Sequence, residues 1–108
     1  MSVMNVDDDS FQDQVFNTDR LVLAEFSASG SSDSALTSRI IDDLATTFDD
    51  PLLILRLDAD STEATVENFA VDSVPTVIFF RNGAEVSRMS GVHEQDEYEQ
   101  EIERLLED

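Results

Sequence analysis

Apolar residues in this chain recur with two different periods, and the alternation between them lays out the fold. Residues 21–26 are apolar at every position except Glu25, as in a strand covered on both faces. Residues 52–57 repeat the pattern with Arg56 as the interruption, and residues 74–80 give a third apolar strand. Between these runs the spacing becomes helical. Leu36, Ile40, Ile41, Leu44, Ala45 and Phe48 form one stripe, preceded by Phe11, Val15 and Phe16. Tyr98, Ile102, Leu105 and Leu106 form another at the end of the chain. Residues 2–6 predict a short leading strand. Asp60-Ser61-Thr62-Glu63 has the spacing of a capping box, and Val66, Phe69 and Ala70 supply the buried face of the short helix behind it.

Turn chemistry separates these elements. Asn17-Thr18-Asp19 closes the first helix and Asp49-Asp50-Pro51 the second. Asn82-Gly83 predicts a tight hairpin joining residues 74–80 to 85–90. In the small polar link at residues 27–33, Gly30 is free to adopt positive φ. The order β-α-β-α-β-α-β-β-α predicts an α/β fold, a three-layer α/β/α sandwich. Its mixed central sheet has four to five strands, parallel first and antiparallel last, between four helices. At 108 residues the chain is expected to be one domain, residues 1–108.

Charge narrows the function. Twenty-five acidic residues face six arginines, with no lysine, for a net charge of −19. Such a chain repels phosphate backbones and anionic lipid, so neither nucleic acid nor membrane is an expected partner. Its acidic, lysine-free composition resembles halophilic proteins, which work in molar salt where a Debye length of about 3 Å screens self-repulsion. No apolar run is long enough to span a bilayer, and the opening residues lack a basic-then-apolar signal pattern. A cytoplasmic monomer is expected.

The absence of cysteine excludes disulfides, thiolate nucleophiles and thiolate metal sites. His93 is the one histidine and is expected in the loop ahead of the last helix, which leaves no base for a Ser-His-Asp triad. Asp7-Asp8-Asp9 and the pair Asp58 and Asp60 lack the glycine and bidentate glutamate of a calcium loop. They read as solvated surface, and neither a metal nor a cofactor is expected.

With the strands placed, several short pieces fall into a specific order. They are Leu23-Ala24-Glu25-Phe26-Ser27-Ala28, the tetrad Ser31-Ser32-Asp33-Ser34 opening a helix, and Leu55-Arg56-Leu57-Asp58-Ala59-Asp60. Val74-Pro75-Thr76, Arg81-Asn82-Gly83 and Gly91 follow. In this order and spacing the chain resembles the thioredoxin family over nearly its whole length.

The resemblance implies thiol–disulfide exchange by a Cys-x-x-Cys pair at the start of a helix, where amides and macrodipole stabilise a thiolate. The two cysteine positions correspond to Ser31 and Ser34, and serine forms no disulfide. Further departures are Ser27 and Gly30 in place of aromatics, Asp33 in place of a proline, and Arg39 in place of the helix-kinking proline. Glu25 matches the family's buried carboxylate, which relays a proton for the resolving thiol, and Arg56 the basic residue beside it. Without thiols the two read as a buried ion pair. The tetrad reads as a helix cap. Pro75 matches the family's cis-proline, which implies a ledge opposite Gly30 and Ser32 able to pair with an extended peptide.

The expected function is therefore a thioredoxin-like protein without the redox dithiol that binds an extended polypeptide. The residues expected to carry binding are Gly30, Ser31, Ser32, Val74, Pro75, Thr76 and Gly91. Two alternatives stay open: a thiol–disulfide oxidoreductase whose cysteines have been replaced by Ser31 and Ser34, and a chaperone-like or structural accessory domain.

Overall fold

Side-chain parity along the strands decides which helix packs where. The computed structural model describes residues 3–108, so residue 2 of the expected leading strand lies outside the described residues. The elements are β1 (Val3–Asn5), α1 (Asp8–Phe16), β2 (Leu21–Ser27), α2 (Ser32–Thr47), β3 (Leu52–Asp58), α3 (Glu63–Asn68), β4 (Thr76–Arg81), β5 (Ala84–Ser90) and α4 (Gln95–Glu107). One sheet orders the strands β1-β3-β2-β4-β5. The first three run parallel, while β4 is antiparallel to β2 and β5 to β4.

Successive strand residues point to opposite faces. Leu21 and Leu23 of β2, Leu52 and Ile54 of β3, and Val77 and Phe79 of β4 pack against Ile41 and Leu44 of α2 and Ile102 and Leu105 of α4. Val22, Ala24 and Phe26, with Leu55, Leu57, Ile78 and Phe80, pack on the other face against Phe11 and Val15 of α1 and Val66 and Phe69 around α3. Two cores thus sandwich one sheet. Glu25 and Arg56 share the phase of Leu23 and Ile54, which puts both beneath α2.

Local chemistry fixes the helix ends. Asp7 caps α1 through a reciprocal box: the Ser10 amide donates to Asp7 Oδ1 at 2.8 Å, and the Asp7 amide donates to Ser10 Oγ at 2.9 Å. Asp8 ties α1 to α3 by accepting from the Thr65 amide at 3.0 Å and the Thr65 hydroxyl at 2.6 Å. These bonds hold the Asp8 carboxyl below its ordinary pKa. In the hairpin, Asn82 and Gly83 take φ of 53° and 82°. The Phe16 ring covers this turn so closely that a Cβ on Gly83 would stand 2.6 Å from it.

Several sequence expectations are corrected. The expected capping box at residues 60–63 does not form. α3 begins after Thr62, whose hydroxyl donates back to the Asp58 carbonyl at 2.8 Å instead of capping the helix. Ala70 does not join a buried helix face, because it follows the Phe69 C-cap in a left-handed conformation, φ 53°. Leu36, Phe16 and Leu106 are exposed, while Ser34 and Thr37 occupy the buried face of α2. β4 begins at Thr76, because Pro75 has no amide hydrogen to give the ladder.

Candidate functional site

Register brings the sequence-selected residues to one end of the sheet. Ser27 at the end of β2 pairs with Asp58 at the end of β3, and Phe26 pairs with Thr76 at the start of β4. Thr76 also pairs with Ser90 at the end of β5, and the Gly91 amide donates to the Pro75 carbonyl at 2.9 Å. The loops after β2, β3 and β5 and the loop before β4 therefore emerge together. Ligands of open α/β sheets favour such a strand end.

The tetrad is built as a helix start. Gly30 turns the chain with φ 85°, and Ser31 becomes the N-cap of α2. The Ser34 amide donates to Ser31 Oγ at 3.1 Å. Ser34 is itself 2% exposed, and its Oγ accepts from the Ala28 amide at 3.2 Å. The two serines thus bind backbone amides on either side of the turn. Asp33 sits in the first helical turn, where a negative charge suits the macrodipole.

Behind the tetrad, Gly30, Ser31, Ser34, Ser38, Arg56 and Asp58 line part of a cleft of about 350 Å³. Glu25 lies beneath it, 0% exposed, with both carboxylate oxygens engaged. Arg56 Nε donates to Oε1 at 2.7 Å and the Ser38 hydroxyl to Oε2 at 2.5 Å. Arg56 also donates to the Ser38 carbonyl at 3.1 Å and to Asp42 Oδ1 at 3.0 Å. Burial works against the Arg56 charge, but Glu25 and Asp42 outweigh it and raise its pKa.

Nearby, neither Tyr98 Oη nor Thr37 Oγ1 has a well-formed hydrogen bond among the described residues. Burial, followed by the charge of Glu25, pushes the Tyr98 phenol up to about 12, with the neighbouring Thr37 hydroxyl offsetting part of the shift.

The expected binding residues divide around this turn. Gly30 and Ser31 line the cleft, and Ser32 is exposed in the first turn of α2. Val74, Pro75, Thr76 and Gly91 are not among the residues lining the cleft. The Val74–Pro75 bond is cis. Val74 is half-buried and outside the strand ladder. Thr76 is buried, and its hydroxyl donates to the Ser73 carbonyl at 2.8 Å. His93 lies between β5 and α4 as expected, with Nε2 2.9 Å from the Ser90 carbonyl oxygen. Sequence reasoning missed Thr37, Ser38, Asp42 and the Tyr98 hydroxyl. A usable signal existed: Ser34, Thr37, Ser38 and Ile41 share helical spacing above a charged strand residue.

The thioredoxin family model matches residues 2–104. The chain belongs to the thioredoxin family. It is 31% identical over 90 residues to the thioredoxin of Mycobacterium tuberculosis strain H37Rv, a match covering 83% of this chain and 78% of that one. The thioredoxin of Mycolicibacterium smegmatis is 33% identical over 88 residues, covering 80% and 79%. That of Staphylococcus saprophyticus is 29% identical over 106 residues, covering 98% of this chain and all of its own.

This thioredoxin-family chain has no cysteine, so it cannot carry out dithiol–disulfide exchange. Among the described residues, no helix is long and apolar enough to cross a membrane.

Proposed function

We propose that this thioredoxin-family protein binds an extended polypeptide, without redox chemistry, across Gly30–Ser32 and Val74–Thr76 with Gly91 at the margin. The observation that carries the reading is Val74. It stands immediately before the first ladder residue of β4, half-buried and unpaired by any strand, at the sheet end from which exposed Gly30 emerges. An extended segment can add main-chain hydrogen bonds at such a position. Ser31 and Ser34 serve the helix and the turn, leaving recognition to the backbone and to exposed Val92. In this reading the chain acts as a single-domain cytoplasmic monomer, and its charge suits it to molar salt.

A second reading is an oxidoreductase in which serines replace the redox cysteines. It draws on Glu25, buried beneath the cleft that Ser31 and Ser34 help to line. Peptide binding is tested by titrating an unstructured peptide into isotopically labelled protein and mapping amide shifts. Saturable shifts centred on Gly30, Ser32, Val74, Thr76 and Gly91 are expected. Shifts confined to other surfaces, or none, would refute it.

A further inference from the structure

We infer that the segment bound at this face is cationic, with lysine or arginine on both sides of a small apolar residue; this rests on the peptide-binding reading above. The side chains around the sheet end carry one sign of charge. Asp33 is exposed in the first turn of α2, and Asp58 borders the cleft. Exposed Asp60 lies just beyond Ala59, whose amide donates to the Ser27 carbonyl at 2.8 Å. Exposed Asp72 stands two residues before Val74.

Five of the six arginines are committed elsewhere, and the sixth, exposed Arg39, stands six residues beyond Asp33 in α2, about 9 Å along the helix axis. Arg56, in the cleft itself, is spent on Glu25 and Asp42. Arg88 pairs with Glu85 and donates to the Phe69 carbonyl. Arg104 pairs with Glu101. Arg20 and Arg81 each donate to a distant carbonyl, of Asp50 and Leu105 respectively.

Two large apolar side chains are exposed among the polar residues of this face. Val92 is 46% exposed beside Gly91, and Leu36, 45% exposed, shares a helix face with Ser32 and Asp33. A small apolar residue suits exposed side chains of this kind, and flanking cations complement the aspartates. Complementary charge sets specificity and encounter rate, and it suppresses partners of the wrong sign.

The test compares three unstructured peptides with the same central valine flanked by lysine, glutamine or glutamate. Binding is followed by amide shifts in about 0.15 M salt, where the Debye length is about 8 Å, with sucrose present to support folding without screening charge. The lysine peptide is expected to bind about tenfold more tightly than the glutamine peptide, and the glutamate peptide more weakly than either. Because Asp58 remains, the triple variant Asp33→Asn, Asp60→Asn, Asp72→Asn should remove most, not all, of the lysine peptide's advantage over the glutamine peptide, and an undiminished advantage would overturn the charge inference.

Equal binding of the lysine and glutamine peptides at Gly30, Ser32 and Gly91 would overturn the charge inference and leave peptide binding standing. Lysine-peptide shifts scattered over remote acidic surface would overturn it by revealing general attraction. Silence of all three peptides would overturn peptide binding itself.

Discussion

The Ser34 amide donates to Ser31 Oγ at 3.1 Å, so one serine of the tetrad caps the helix that the other enters. This bond satisfies an amide at the exposed start of α2 and needs no chemistry from either hydroxyl. Ser31→Ala should therefore lower stability by about 1 kcal/mol in urea unfolding, and Ser31→Gly by only a few tenths. Equal stability of wild type and Ser31→Ala would remove the capping role.

The buried pair behind the tetrad should show its cost when broken on one side. Arg56→Met leaves a fully buried Glu25 carboxylate with Ser38 as its remaining donor. The loss should be about 3 kcal/mol, since an uncompensated buried charge outweighs the net worth of the pair. Replacing both partners, Glu25→Leu with Arg56→Met, should cost less than Arg56→Met alone. A double variant less stable than the single one would show that the pair is strongly favourable in its own right.

Alkaline pH offers a clean probe of Tyr98. Its folded pKa, about 12, lies above the ordinary value of 10.0, so the fold favours the neutral phenol. That stability is fully present below pH 10.0 and is lost as pH rises through about 12, a total of about 2–3 kcal/mol. The chain has one tyrosine, no lysine and no cysteine, which leaves this window nearly free of other side chains. Tyr98→Phe should abolish the alkaline decline and, at neutral pH, be neutral or stabilising by up to about 1 kcal/mol, because the hydroxyl it removes lacks a well-formed partner. A decline that persists in Tyr98→Phe would assign it to another group.

Salt should act on the whole chain. With a net charge of −19, folding brings like charges together, and molar salt shortens the Debye length from about 10 Å at 0.1 M to about 3 Å. The melting temperature should climb steeply over that range. A flat profile would remove the halophilic reading.

The strands and their order were legible because apolar runs bounded by turn residues mark the length and place of each element. The family resemblance implied that Arg56 lies beside Glu25, and the two are register partners in neighbouring strands. What escaped was the inner face of α2. Counting apolar positions puts Leu36 in the buried stripe. In the folded chain, however, Glu25 lies beneath the first turns of this helix and demands polar neighbours. Thr37 and Ser34 are buried there, Ser38 donates to Glu25, and Leu36 faces out. Exposed Phe16 is a second case: its ring lies over Gly83, a contact between residues far apart in the chain. At residues 60–63 the capping-box spacing was present, but Asp60 belongs to the turn after β3, its amide donating to Asp58 Oδ1 at 3.0 Å, and the helix begins only after Thr62. Tertiary partners decided the first two, which local spacing does not record, and the local turn after β3 decided the third.

Restoring the cysteines separates a peptide-binding protein from a masked enzyme most directly. The double variant Ser31→Cys, Ser34→Cys is assayed for catalysed reduction of a protein disulfide by dithiothreitol. Asp33 between the two positions would oppose a thiolate at the helix start, and both oxygens of Glu25 are already engaged by Arg56 and Ser38. A rate at least about tenfold below that of a cysteine-bearing thioredoxin is predicted, roughly the effect of a thiol pKa raised by one unit. A rate equal to that of such a thioredoxin would contradict a lost redox function and identify the chain as an oxidoreductase lacking only its two thiols.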